Sequence, residues 1–334
     1  MHDAASVQGV WMKYRELGRT GFEVSEIAYG LWGMSGWSGS NDNESLESLQ
    51  LAVDLGCNFF DTAWAYGEGK SDGLLGQILA RNRNKRLYAA SKVPPMNQKW
   101  PALPKFKYQD VFPANHVFKH ARLIREKLGI DSIDVLQFHV WDDNWANEPE
   151  FRDTVLKLKT EGLIRSFGLS LNRWEPENGI KAIRTGLVDV VQVIYNVFDQ
   201  SPGDRLFPVC QELSVGVIAR VPLDEGSLGG KLTAETRFPE NDWRSGYFGP
   251  ENLPKTLARV DKLKEILPPN VSLPGMALRF ILANPTVSTT IVGMRRSEHV
   301  RENLAVSDDV PLSAGLLSQL KTHRWDRTPQ RWSD

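Results

Sequence analysis

The sequence predicts a single α/β domain built as a closed (β/α)8 barrel, a TIM barrel, and three observations predict it. Eight short β-branched or aromatic runs recur along the 334 residues. Several are near-continuously apolar rather than alternating, as parallel strands covered on both faces must be. Amphipathic stretches of helical spacing separate them. No linker or composition shift divides the chain, so residues 1–334 read as one domain, with 1–13 a flexible extension.

The elements follow in order. Residues 14–25 precede the first barrel strand, and Arg19-Thr20-Gly21 reads as the turn of a short hairpin. Such a hairpin can plug the bottom of a barrel. Strands are expected at 26–30, 58–62, 87–92, 133–139, 165–170, 188–195, 215–219 and 288–292. Helices are expected at 44–55, 71–81, 114–128, 151–160, 175–185 and 205–213, with Ser71 capping the second. The segment 221–274 is long, and long barrel loops are usually functional. It carries a helix over 251–267. A last helix over 314–324 and a tail follow, so extra helices lie toward the C-terminus.

Composition excludes some partners. The net charge is −1, which offers a polyanion nothing, so nucleic acid and anionic membrane are poor partners. No apolar stretch reaches the length of a membrane span, and the first dozen residues lack the basic and apolar regions of a signal peptide. A cytoplasmic protein is expected. Cys57 and Cys210 form no CxxC and read as small buried hydrophobes. No metal-ligand pattern is present.

In a TIM barrel the chemistry sits at the C-terminal strand ends. Asp61 ends the second expected strand, Tyr66 follows in its loop, Lys92 ends the third and His139 the fourth. These four types suit hydride transfer to a carbonyl. The developing alkoxide needs a proton donor. An ammonium beside a phenol favours the phenolate, a carboxylate keeps the ammonium charged, and an imidazole can donate a hydrogen bond to the substrate oxygen. Each has a plainer reading alone: Asp61 as a helix cap, Tyr66 as a loop aromatic, His139 as a core histidine. Lys92 is harder to set aside, because a lysine inside a barrel needs a partner. A Schiff-base role for Lys92 would need a neutral amine, and Asp61 argues the other way.

The chain resembles the aldo-keto reductase family over nearly its whole length. Tyr14-Arg15-Glu16-Leu17-Gly18-Arg19-Thr20-Gly21 resembles the family's opening hairpin. Phe60-Asp61-Thr62-Ala63 with Tyr66-Gly67 resembles its second-strand signature, and Gly168-Leu169-Ser170 its fifth-strand motif. Residues from Val292-Gly293 through Arg295 to Glu302-Asn303 resemble its C-terminal nucleotide motif. The resemblance implies NADP(H) bound without a Rossmann domain and a catalytic tetrad of Asp61, Tyr66, Lys92 and His139. It implies Leu31, Trp32, Asp61, Ser170 and Gln192 at the nicotinamide end. Pro222, Leu223, Gly230 and Lys231 would follow the pyrophosphate. Gly293, Arg295, His299, Glu302 and Asn303 would face adenosine. A guanidinium at Arg295 suits a 2′-phosphate, which favours NADP.

Departures from the family pattern carry information. Arg220 stands where an aromatic commonly lies under the nicotinamide; a planar guanidinium can stack on that ring or reach a polar substrate. Leu171 follows Ser170, so Asn172 is displaced by one from its usual place. The substrate is expected to touch Tyr66, His139, Trp32, Trp64 and Trp141. Met34, Trp37, Trp145, Trp243 and Tyr247, with Asp142, Asp143 and Arg244, complete a mixed aromatic and polar lining. That lining leans toward a small-molecule carbonyl of polyhydroxy type, a sugar or sugar-derived aldehyde. The competing reading is a regulatory or binding subunit on the same barrel, similar to the potassium-channel β-subunits, with little turnover.

Overall fold

The computed structural model describes residues 12–36, 39–240, 242–308 and 310–327. Strands β1 (Tyr14–Glu16) and β2 (Glu23–Ser25) pair antiparallel. Eight parallel strands then close a barrel: β3 (Ile27–Gly30), β4 (Phe59–Asp61), β5 (Tyr88–Val93), β6 (Ile133–Phe138), β7 (Ile164–Ser170), β8 (Val190–Ile194), β9 (Gly216–Arg220) and β10 (Thr289–Gly293). They follow sequence order around the wall, and β10 returns to pair with β3. Closure leaves no exposed strand edge in that sheet. Each strand overlaps an expected one.

The hairpin seals the N-terminal end. Leu17, Phe22 and Val24 form one buried cluster with Ala28, Phe59, Tyr88, Val135 and Ile218 from the barrel wall. The Phe22 ring stacks on Tyr88 with centroids 4.9 Å apart, and the Arg165 guanidinium lies 4.2 Å from the Phe22 centroid. Gly18 makes the close approach possible: its φ is +53°, and a Cβ there would sit 2.2 Å from the backbone nitrogen of Gly216.

Helices cover the outer face. Asp42–Asp54 begins at Asn41, whose side chain accepts from the backbone N–H groups of Asn43 and Glu44. Ala114–Leu128 stops at Gly129, which takes the left-handed conformation. Asn252–Glu265 lies in the long segment after β9, and Ala314–Thr322 closes the C-terminal side. No helix among the described residues is long and apolar enough to cross a membrane.

Three expectations change. Ser71 does not cap its helix, which starts at Lys70 after Gly69; the buried Ser71 hydroxyl donates to Leu31 O at 3.2 Å. The helix expected over 175–185 shortens to Ile180–Arg184; residues 176–179 form turns, and Glu175 is held there by Asn172 and Asn178. Of the expected extension, Lys13 is held to the barrel: its N–H donates to Ser307 Oγ at 2.8 Å, and its carbonyl accepts from Glu26. Residues 1–11 of that extension lie outside the described residues.

Truncating Phe22 to Ala should lower the unfolding free energy by about 3 kcal/mol or more. Urea denaturation checks this, and a loss well under 1 kcal/mol would mean that the hairpin does not seal the barrel.

Candidate active site

The site begins with an ion pair inside the barrel. Lys92, on β5, is fully buried, and Asp61, the last residue of β4, is 1% exposed. Lys92 Nζ lies 2.6 Å from Asp61 Oδ1 and also donates to Thr62 O at 2.8 Å. The second carboxylate oxygen accepts from Gln192 at 2.7 Å and from Gln137 at 3.4 Å. Two charges removed from water persist only when paired and hydrogen-bonded. Burial pulls the Lys92 ammonium below its ordinary pKa, and Asp61 works against that shift.

Tyr66 is set above this pair by the turn that follows β4. Tyr66 N–H donates to Ala63 O at 2.9 Å. Gly69 has φ +83°, and a Cβ there would meet the Trp64 ring at 2.7 Å. The Tyr66 ring centroid lies 5.4 Å from Lys92 Nζ and 5.9 Å from that of His139, edge-on at 74°. Trp100 meets His139 edge-on at the same separation. The structure thus brings all four residues of the expected tetrad to one end of the barrel.

Their electrostatics differ from the simplest expectation. Burial, then Asp61, push the Tyr66 phenol above its ordinary value, and the cation acting against them is Arg220. Lys92 lies beneath the Tyr66 ring, and Asp61 offsets part of its charge. Burial, then Lys92 and Arg220, hold His139 well below 6.5, so its ring is neutral at neutral pH. His139 Nδ1 is buried without a hydrogen-bond partner. The site therefore holds a neutral phenol beside a neutral imidazole.

Of the residues expected at the nicotinamide end, Ser170 and Gln192 lie on the strands that follow. Ser170 ends β7 and pairs in register with Gln192 on β8. The Gln192 amide nitrogen is engaged by Asp61, while its carbonyl accepts no hydrogen bond among the described residues and suits a carboxamide N–H. Leu31 is buried and Trp32 half-exposed, its ring edge-on to Trp243 at 6.3 Å. Arg295 folds against Gly33, with Nη1 3.4 Å from Gly33 O. Gly293, the last residue of β10, and Glu302 are exposed, Asn303 is buried, and His299 lies 3.5 Å from Glu298. Pro222 and Leu223 follow directly on β9, and Gly230 and Lys231 are exposed further along that loop. The polar groups fit a nicotinamide dinucleotide.

The aldo/keto reductase family model matches residues 26–324. The chain belongs to the aldo/keto reductase family. Members are oxidoreductases acting on carbonyl or alcohol groups with a nicotinamide cofactor. The chain is 28% identical over 318 residues to the uncharacterized oxidoreductase YqkF of Bacillus subtilis, covering 93% of this chain and 96% of that one. It is 25% identical over 311 residues to an NADH-specific methylglyoxal reductase of Escherichia coli, covering 88% and 93%. The structure of a glycerol dehydrogenase from Gluconobacter oxydans superposes with a TM-score of 0.77 at 23% identity, covering 96% and 98%.

In this aldo-keto reductase the loop after β9 is backbone-strained and tied down. Val221, Asp224 and Glu225 all have positive φ, which is costly for a β-branched residue such as valine. Arg327, near the C-terminal end of the described chain, pairs with Asp224 at 2.9 Å, with Asp199 and with the Tyr247 hydroxyl. Its guanidinium also lies 4.7 Å from the Trp174 centroid.

The expected aromatic lining is smaller than the sequence suggests. Trp141 is fully buried: it packs on Phe151 at 4.8 Å, and its Nε1 donates to Asp143 at 2.8 Å. Asp143 is meanwhile engaged in capping a helix, accepting from Lys181 N–H at 2.8 Å and Ala182 N–H at 3.2 Å. Trp145, Met34 and Tyr247 are likewise buried, and Trp37 lies outside the described residues. Trp64 is half-buried against His120. Asn172 donates to Ala102 O, Trp141 O and Glu175, joining loops.

Sequence reasoning missed Gln137, Asp72 and Trp100. Gln137 interrupts an otherwise apolar strand end, which is the one signal it left. Asp72 accepts from Ser91 at 2.7 Å, and burial pushes its carboxyl up to about 6. A cavity of about 770 Å³ lined by Arg15, Arg19, Gln211 and Thr286 lies beside the hairpin, at the end opposite the tetrad.

Replacing Asp61 by Leu leaves Lys92 buried without its carboxylate. The cost should be about 3–5 kcal/mol at pH 7 in urea denaturation. It should shrink as pH rises toward 10, since the unfolded lysine then sheds its proton and the variant's charging cost disappears. A loss that does not change with pH would contradict this.

Proposed function

We propose that this chain is an NADP(H)-dependent reductase of small polar carbonyl compounds, including sugars or sugar-derived aldehydes, in a cytoplasmic setting. The observation that supports it best is the neutral Tyr66 phenol beside the neutral His139 ring, above the Lys92–Asp61 pair. The bound dihydronicotinamide supplies a hydride to the carbonyl carbon. Tyr66 donates its proton to the oxygen, and an N–H of His139 holds that oxygen during transfer. The phenolate left behind is stabilised by Arg220 and, beneath the ring, by Lys92. Gln192, fixed by Asp61, and Ser170 would hold the carboxamide of the nicotinamide.

Arg295 supports the phosphate-bearing cofactor, since a guanidinium can grip a 2′-phosphate bidentately. The Escherichia coli relative is named as NADH-specific. The small carbonyl in that relative's name and the half-exposed Trp32 at the rim support a compact polar substrate.

Replacing Tyr66 by Phe should cut turnover by a factor of about 100 to 10,000. NADPH affinity, read by fluorescence titration, should hardly change. In the wild type, carbonyl reduction should stay flat through neutral pH, because the raised phenol remains protonated. Alcohol oxidation needs the phenolate and should climb with pH over the same range. A Tyr66→Phe variant with near-normal rates would overturn the assignment. Tight NADPH binding with no turnover of any carbonyl would favour a binding subunit.

Replacing Arg295 by Ala should weaken NADPH binding about tenfold or more, as loss of charged hydrogen bonds implies, and NADH binding much less. Equal losses for both cofactors would remove the assignment to the 2′-phosphate.

A further inference from the structure

A half-buried guanidinium without a carboxylate is costly to maintain. Arg220 is the last residue of β9, at the mouth of the barrel. Its one hydrogen bond among the described residues runs from Nη2 to the backbone carbonyl of Leu171 at 3.1 Å. Nε is buried with no partner among the described residues. The enclosed arginines near and far behave differently. Arg173 pairs with Glu225, Arg279 with Asp308, and Arg327 with Asp199 and Asp224.

The carboxylates nearest Arg220 are already engaged by other cations. Arg173 and Glu225 neutralise each other, as do Lys92 and Asp61. Tyr66 and His139 are neutral at neutral pH. The guanidinium has no carboxylate of its own, because Glu225 and Asp61 are engaged by Arg173 and Lys92 and the buried Asp72 is bonded to Ser91; burial, then Arg173, lower its pKa to about 10. That charge acts on both Tyr66 and His139, the two groups that would hold the substrate oxygen.

We infer that Arg220 binds a carboxylate on the substrate, so that this reductase prefers carbonyl compounds carrying an acid group: oxo acids or sugar-derived aldehyde acids. The inference rests on the reductase reading above and names its substrate class. The carbonyl oxygen meets Tyr66 and His139 while the carboxylate meets the guanidinium fork, which suits a planar anion. The acid group takes no part in the reaction. Hydride adds to the carbonyl carbon, the π pair moves to oxygen, and the Tyr66 proton completes a hydroxy acid, leaving oxidised nicotinamide. A neutral analogue leaves that charge unanswered.

The test compares kcat/KM in matched pairs with NADPH: succinic semialdehyde against butyraldehyde, glucuronate against glucose, 4-carboxybenzaldehyde against benzaldehyde. The wild type should prefer the acid by tenfold or more. Arg220→Gln should cut that preference at least tenfold, and Arg220→Lys should keep part of it. The wild-type comparison stands even if a variant fails to fold. Preference for the neutral partner would overturn the inference and leave the reductase reading intact. So would an Arg220→Gln variant that loses both partners equally along with NADPH affinity, since the guanidinium would then serve the nicotinamide ring. NADPH binding with no turnover of any pair would overturn both.

Discussion

The mouth of the barrel is organised around an ammonium that has left water. Lys92 can be buried only because Asp61 ends the adjacent strand at hydrogen-bond distance. The carboxylate in turn has a second oxygen to satisfy, and Gln192 and Gln137 reach it from β8 and β6. Four strands are thereby tied to one salt bridge. Taking each ion from water costs several kcal/mol, so the arrangement tolerates little change in any of its members. The same pairing makes the centre nearly neutral, and the phenol above it keeps its proton.

This neutrality divides labour among the cations. Lys92 supports the Tyr66 ring and fixes Asp61, while Arg220 supplies the field that reaches Tyr66 and His139 from another strand. The other end of the barrel has no such demands. There the hairpin packs Phe22 and Leu17 into an apolar cluster, so rigidity below supports charge placement above. A closed sheet suits both needs: its inward positions are dry, and its loops remain free to vary.

The eight strands were legible because both of their faces are covered, which writes continuous apolar runs into the sequence. The tetrad was legible because a lysine at a barrel strand end demands a carboxylate, and Asp61 ends the neighbouring strand. Trp141 was not. A tryptophan beside Asp142 and Asp143 reads like pocket lining, yet Asp143 caps a helix almost forty residues on, and no local pattern reports that. Gln137 and Asp72 have meaning only through partners on other elements. The Arg220 departure was visible in sequence. Its lack of a counter-ion was not, because that depends on which carboxylates its neighbours have already claimed.

Arg327 reaches back 103 residues to Asp224. Asp199 and Asp224 are both buried, and without that guanidinium they would face each other as like charges in a dry setting. Every barrel strand is synthesised before Arg327. The cylinder can therefore close before the strained loop after β9 has a reason to hold its shape. Folding of this enzyme has a built-in order, in which the scaffold comes first and the loop after β9 is fastened by a residue made after all the strands.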